Sequence, residues 1–251
     1  MQTPNALPAA PGNDAGLVVS LARTEDDVRA AQRLRWQVFV EELGATVESE
    51  EHGLDADRFD AHCDHLLVRE SATGDVVGTY RMLPPERAAR AGGLYAETEF
   101  HLKRLLGLDG LVEIGRACVR ADHRTGVAIS LLWTGLLRYL LDGGHEFVMG
   151  CASIAISDDM AGAAALCRRL ALEYGSPPEW RVFPRRPLPC DLTPGAREAS
   201  LPTLLKGYLR LGAYVCGEPA WDPAFGTADV LLLLPLERLS HRHAARLLRA
   251  A

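Results

Sequence analysis

Two charged residues stand where a strand should carry none. Residues 111–119 read Leu-Val-Glu-Ile-Gly-Arg-Ala-Cys-Val, apolar at almost every position and flanked by turn clusters, which is the pattern of a buried strand. Glu113 and Arg116 interrupt it, with Gly115 between them. Side chains alternate along a regular strand, so these two would point to opposite faces. One extra residue in a bulge brings them to the same face, and a glycine inside a strand marks a bulge or a close backbone approach. The stretch therefore predicts a bulged central strand that aims a carboxylate, a guanidinium and some unpaired backbone N–H groups at one place. A buried Glu–Arg pair at a strand end is the plainer reading.

Further polar residues lie elsewhere. Arg35 and Phe39 are one helical turn apart and share a face. Asp55, Asp57 and Asp60 sit in the acidic segment 45–61, long for a loop in a compact domain. They are spaced like cation ligands, but the glycine and terminal glutamate of a calcium loop are missing; a solvated acidic loop is the plainer reading. Arg81 lies within a strand. The run His62-Cys63-Asp64-His65 leads straight into a strand whose neighbouring residues alternate faces, so no metal site is expected. Ser153, in Gly-Cys-Ala-Ser-Ile, lacks the second glycine of a nucleophile elbow. Lys103-Arg104 and the segment holding Arg181, Arg185 and Arg186 are basic clusters in an acidic protein, either solvated or facing an acidic partner.

The elements that must position these groups can be read from periodicity. Leu17–Ala22 reads as a strand. Thr24 caps a helix whose stripe is Val28, Ala31, Leu34, Val38 and Leu43, ending at Gly44. Strands His65–Arg69 and Val76–Leu83 form a hairpin around Thr73-Gly74-Asp75. Residues 86–110 look partly helical, broken at Gly92-Gly93. After the central strand, Arg124-Thr125-Gly126 leads into an apolar helix over Val127–Leu141, and a strand, a glycine turn and a helix N-terminus make a phosphate-binding geometry. A strand at Phe147–Ile156, a helix capped by Ser157, a Pro- and Arg-rich excursion at 176–198, a helix at Leu201–Leu211, and strands at Ala213–Cys216 and Asp229–Leu234 complete the pattern. Residues 239–251 form a basic amphipathic helix that can pack on the sheet or lie on an anionic membrane. Helices mixed with hairpin strands on one sheet give an α/β or α+β, three-layer fold. It is expected to occupy residues 17–238 behind a floppy tail at 1–16.

Composition bounds the function. The chain has 251 residues, 48% of them hydrophobic, and a net charge of −6; it is globular and presents no global field for nucleic acid. No apolar run reaches the roughly 20 residues that span a bilayer. The six cysteines form no CxxC pair and sit mostly in apolar runs, which suits reduced thiols in the cytoplasm.

These residues together carry a resemblance. Arg35-x-x-x-Phe39, Asp55-x-Asp57-x-x-Asp60, Gly78-Thr79-Tyr80-Arg81 and Glu113-Ile114-Gly115-Arg116 resemble the acyl-homoserine-lactone synthase branch of the GNAT acyltransferases. The stretches Val38–Gly44, Phe59–Leu66, Leu131–Trp133, Leu205–Ala213 and Trp221–Phe225 narrow it to the bacterial L-ornithine Nα-acyltransferases, over about residues 17–238. The resemblance implies a GNAT-like mixed, mostly antiparallel sheet with helices on both faces. It implies transfer of a 3-hydroxyacyl group from acyl carrier protein to the α-amine of L-ornithine, the first step of ornithine lipid synthesis. No cofactor beyond the donor's phosphopantetheine is implied. Glu113 would accept the proton, with Arg116 and Ala117 supplying oxyanion donors. Arg35, Arg81 and Arg116 would hold a carboxylate or order the acidic loop; Asp55, Asp57 and Asp60 would pair with them or hold the ornithine ammonium. Phe39 would line the acyl channel. Arg124 and Gly126 would meet the phosphopantetheine, and Lys103, Arg104, Arg181, Arg185 and Arg186 the carrier protein. The site of action would be the cytoplasm or the inner-membrane surface.

One departure is visible. The Arg/Gln-x-x-Gly-x-Gly/Ala turn of acetyl-CoA-dependent relatives is a residue short at Arg124-Thr125-Gly126-Val127-Ala128, which suits a donor with one phosphodiester rather than a pyrophosphate. An acyltransferase using another acceptor or acyl-CoA, and a non-catalytic haemolysin-like membrane protein, are the alternative readings.

Overall fold

A computed structural model describes residues 16–124, 126–156, 160–189 and 197–239. The expected tail at 1–16 and C-terminal helix at 239–251 therefore fall, but for one residue each, outside the described residues, as does the Ser157 cap.

The chain opens with strand β1 (Leu17–Leu21) and helix α1 (Glu25–Trp36). The Thr24 hydroxyl accepts the Asp27 N–H at 3.2 Å and the Asp27 carboxylate accepts the Thr24 N–H at 3.1 Å, a reciprocal capping box. The helix does not run unbroken to Gly44 as its stripe predicts. From Gln37 to Glu42 it widens into a π-helical turn, with Leu43 N–H reaching back to Val38 O at 3.1 Å. Widening rotates the residues beyond the turn, so Leu43, assigned to the core by a 3.6-residue period, is 64% exposed.

The expected hairpin forms as β2 (Asp64–Glu70) and β3 (Val76–Leu83). Between it and the central strand, only α2 (Pro85–Ala88) and a 3₁₀ turn at Tyr95–Thr98 are helical. Gly92 and Gly93, both at positive φ (77° and 110°), stop propagation, and the two-residue strand β4 (Phe100–His101) follows. Then come β5 (Leu111–Val119), α3 (Val127–Asp142), β6 (Phe147–Ala155), α4 (Met160–Tyr174), β7 (Phe183–Pro184), α5 (Thr203–Leu211), β8 (Tyr214–Val215), β9 (Ala220–Asp222) and β10 (Thr227–Pro235). The very short β4, β7 and β9 carry too few residues to show a period-two pattern.

One sheet runs in the order β1-β2-β3-β5-β6-β10-β8, with β9 also on β10; β4 and β7 make a separate ribbon. Every pairing is antiparallel except β5 with β6. The sheet is covered on both faces. Val230, Leu232 and Leu234 of β10 join the core formed with α3, α4 and α5, while the alternate Leu231 and Leu233 join a core built largely from loop residues such as Phe59, Leu94 and Leu102. On that second face α1 contributes Leu34, packed near Cys118.

The bulge predicted in β5 is present. Thr79 pairs with Cys118 and Arg81 with Gly115, so two steps on β3 face three on β5. The core shows the same shift: Val112, Ile114 and Val119 all enter one cluster, an even-to-odd switch that only an inserted residue produces. Arg116 occupies it at φ 50°, the one non-glycine at positive φ among the described residues.

Candidate active site

The bulge places Glu113 and Arg116 on the face of the sheet that carries α1 and the acidic loop. Arg35, 1% exposed, reaches the Asp60 carboxylate with both terminal nitrogens at 3.0 and 2.6 Å. Its Nε lies 3.1 Å from Asp55 Oδ2. Arg81 bonds Asp57 at 2.6 Å and Asp60 at 2.9 Å. Arg116 Nε is 3.2 Å from Asp55 and its Nη2 3.7 Å from Asp57. Three arginines and three aspartates from a helix, two strands and a loop thus form one buried lattice. Burial alone would raise the Asp60 carboxyl, but the hydrogen bond and charge of Arg35, with Arg81, outweigh it and hold it far below the usual range. Each of the three aspartates lies within ion-pair distance of at least one of these arginines, and Asp55 and Asp57 also line an outer cavity.

Arg116 also stacks. Its guanidinium carbon lies 4.9 Å from the Tyr95 ring centre and 5.1 Å from that of Phe225, and Phe225 meets Phe39 edge-on at 5.8 Å. Phe39 itself sits in the π-helical turn.

Glu113 is 5% exposed. Its carboxylate accepts the backbone N–H groups of Tyr95 and Ala96 at 2.6 and 2.7 Å. Burial raises its pKa and the two N–H donors oppose that, leaving the group pushed up to about 7. A carboxylate oxygen with one N–H donor retains a lone pair for a further proton or water.

Strands β5 and β6 pair only where Leu111, Val112 and Glu113 face Phe147, Val148 and Met149. Gly150 marks the last close approach: a Cβ there would lie 2.4 Å from Ile114 O. Beyond it the strands part around a cavity of about 230 Å³, bounded by Glu113, Arg116 and Ala117 on one side and by Cys151 and Ser153 on the other. Phe39 and the apolar Leu205, Leu232 and Leu234 line it too. Arg116 and Ala117, which line this cavity, have no register partner in β3 or β6. Deeper in, the Tyr80 and Tyr208 hydroxyls bond each other, and Tyr208 packs on Trp133 with ring centres 4.4 Å apart.

The remaining predicted residues lie apart. Arg124 bonds the Glu42 carboxylate at 2.7 Å and Val119 O at 2.9 Å; Gly126, at φ 98°, opens α3. Neither lines the cavity. Arg104 donates to Pro178 O at 2.7 Å and lies 5.9 Å from the Phe183 ring centre, with Lys103 exposed next to it in the chain; Arg185 donates to Glu97 O at 2.6 Å, and Arg186 covers the Trp221 ring at 4.2 Å. Arg181 is exposed beside them.

Sequence reasoning missed three acids. Glu99, Asp222 and Asp229 line the cavity, and they are the one group among the described residues whose acidic oxygens converge within 4.8 Å. They come from a loop and two strands with no spacing to link them. The apolar run after Asp229 made it look like a strand end.

Known proteins share both sequence and architecture with this chain. It is 38% identical over 258 residues to the L-ornithine N(alpha)-acyltransferase of Brucella abortus (strain 2308), covering 92% of this chain and 89% of that one. The chain belongs to the L-ornithine N(alpha)-acyltransferase family. It is also 39% identical over 243 residues to the family member from Rhodobacter capsulatus, covering 90% and 92%. Residues 34–134 match the acetyltransferase (GNAT) domain, which ties the ornithine acyltransferase family to that superfamily and makes the chain a GNAT-type acyltransferase. The fold is shared with a CoA-dependent acyl-homoserine lactone synthase, BjaI, at a TM-score of 0.54 and 18% identity over 89% of this chain and 81% of that one. It is shared also with FeeM, an N-acyl amino acid synthase from uncultured soil microbes, at 0.54 and 12% over 90% and 96%. No helix among the described residues of this family member is long and apolar enough to cross a membrane.

Proposed function

We propose that the protein transfers a 3-hydroxyacyl group from the thioester of acyl carrier protein to the α-amine of L-ornithine, giving lyso-ornithine lipid. The observation that carries the reading is Glu113: a buried carboxyl with a pKa raised to about 7, at the point where β5 leaves β6 and the cavity opens. The names of the relatives supply the acceptor.

The thioester carbonyl lies in the cleft with its oxygen toward the N–H groups of Arg116 and Ala117, and the acyl chain runs along the apolar wall past Phe39. The neutral α-amine attacks the carbonyl carbon, a C–N bond forms, and the C–S bond breaks to release the carrier thiolate. The proton lost by nitrogen passes to Glu113, directly or through one water, and then to the thiolate or solvent. A base of pKa about 7 suits this near neutral pH, because proton-transfer efficiency peaks when base and operating pH match. The donor's phosphodiester meets Arg124 and the α3 N-terminus at Gly126, where it competes with Glu42. The acidic carrier docks on the surface of Lys103, Arg104, Arg181, Arg185 and Arg186. The reaction takes place in the cytoplasm or at the inner face of the membrane.

The test is mass spectrometry of purified protein with 3-hydroxyacyl carrier protein and ornithine, beside Glu113→Gln. An Nα-(3-hydroxyacyl)ornithine product from the first, strongly reduced in the second, is expected. Product with 3-hydroxyacyl-CoA but not with the carrier would replace the donor; product only with another amine would replace the acceptor.

A further inference from the structure

In the arginine–aspartate lattice every carboxylate has a guanidinium beside it. The trio Glu99, Asp222 and Asp229 has no such direct partner: no arginine, lysine or histidine forms an ion pair with any of the three among the described residues, and the nearby Arg116 charge only partly offsets the burial of Glu99. Thr227 donates to Asp229 Oδ1 at 2.9 Å; Asp222 accepts the backbone N–H groups of Ala224 and Phe225 at 2.8 and 3.2 Å. Glu99 Oε2 is shut away from solvent and has no hydrogen-bond partner. Three acids this close, with Asp229 only 4% exposed, repel one another unless a proton or a cation lies between them. Burial and the neighbouring Asp229 push Glu99 up to about 8, and burial pushes Asp229 up to about 6.

The trio also stands at a junction. All three acids line the cavity that holds Glu113, and Glu99 and Asp222 continue with Arg116 and Phe225 into an outer cavity that includes Arg186 and Trp221. A ligand entering from that side meets the acids before the cleft.

We propose that Glu99, Asp222 and Asp229 bind the side-chain ammonium of a diamino-acid acceptor and so select which of its two amines is acylated. The inference rests on the acyltransferase reading above. An amine that attacks must first lose its proton, whereas three converging carboxylates keep an amine protonated and without a lone pair. They therefore suit the amine that does not react. The compact ammonium offers three donors for three carboxylates, and a buried polar site of this kind rejects an analogue that leaves it unpaired.

Initial rates with L-ornithine and with L-norvaline, the same carbon chain without the terminal amine, test this on the full chain. The wild type is expected to favour ornithine in kcat/KM by about 100-fold or more. Glu99→Gln, which keeps the shape, is expected to lower ornithine turnover far more than norvaline turnover, cutting the preference by about tenfold or more, mainly through KM. A rise in acylation at the side-chain nitrogen should accompany it. Asp229→Asn serves as the second variant, with circular dichroism to confirm folding. Equal turnover of both acceptors by the wild type, or equal losses on both in folded variants, would overturn the proposal while leaving the acyltransferase reaction in place. Loss of wild-type activity in EDTA, restored by Mg²⁺, would overturn it in favour of a metal. A wild type that acylates neither acceptor, but acylates a different amine, would remove the ornithine reading itself.

Discussion

Arg116 Nε and Asp55 Oδ2 lie 3.2 Å apart, and the arginine in that pair is the bulge residue at φ 50°. A non-glycine residue in the left-handed region costs about 1–3 kcal/mol and persists where its surroundings hold it. Here the holding groups are Asp55 and Asp57 on one side and the Tyr95 and Phe225 rings on the other. The acidic loop and β5 are therefore fastened to each other through one side chain. Asp55 is fastened in turn to Arg35 of α1.

Removing one partner of that lattice should be expensive. Asp60→Asn leaves Arg35 and Arg81 without their shared carboxylate, and a buried pair broken from one side typically costs about 3–5 kcal/mol. Urea unfolding of the variant checks this; a loss below about 1 kcal/mol would show that the lattice contributes little to stability.

Activity should follow the Glu113 carboxyl. The base works when deprotonated, so kcat/KM rises with pH through about 7, and Glu113→Gln should lose about 10²–10⁴-fold together with that limb of the profile. A variant that keeps an unchanged rise through pH 7 would assign the limb to another group.

Stability should respond to pH in the opposite sense. Glu99, Glu113 and Asp229 have folded pKa values raised to about 8, 7 and 6. The folded protein then binds more protons than the unfolded chain between about pH 4 and 8. Their contribution is present below the ordinary carboxylate range and is lost as pH rises through that window. Thermal melts of the wild type and of Glu99→Gln across about pH 5–8 should converge at low pH and diverge at high pH, with the variant the more stable.

Gly150→Ala should damage the cleft at its root. The new methyl would meet Ile114 O at 2.4 Å, forcing β6 away from β5 at the last point where they approach. Overpacking of this kind costs about 1–3 kcal/mol, and activity should fall further than the melting temperature alone explains. A variant with full turnover would mean that the approach at Gly150 does not set the cleft.

Charge reversal at Arg181 and Arg185 should raise KM for the carrier-bound donor and flatten its salt dependence, with little change in kcat, since rim charges act mostly on association. Stopped-flow binding at two ionic strengths separates this from a folding defect.

The sequence made the long elements and the bulge legible because each leaves a local trace: an apolar run for β5, a cap and a stripe for α1, a glycine between two charges. It named the three arginines and three aspartates but could not pair them, since pairing depends on where the 45–61 segment folds back over β3 and β5. It lost the helix register at Gln37 because a π-turn inserts its extra residue without any composition signal. Glu99 escaped for a related reason. It belongs to a segment that looks half-helical in one dimension, and its partners lie more than a hundred residues further along the chain.

The bulge in β5 also divides the strand into two reading frames. Up to Ile114 the even-numbered residues face the α3 side; by Val119 the odd-numbered ones do. Arg116 acts as the frameshift between them. Deleting one residue anywhere from Gly115 to Ala117 would remove the insertion and restore a single frame, with Val119 still on the α3 side. Cys118 would stay beside α1, and what would be lost is the extra step between Gly115 and Cys118 that leaves Arg116 and Ala117 out of register with β3. The length of this segment therefore sets the bulge, while the core beyond it does not depend on the inserted residue.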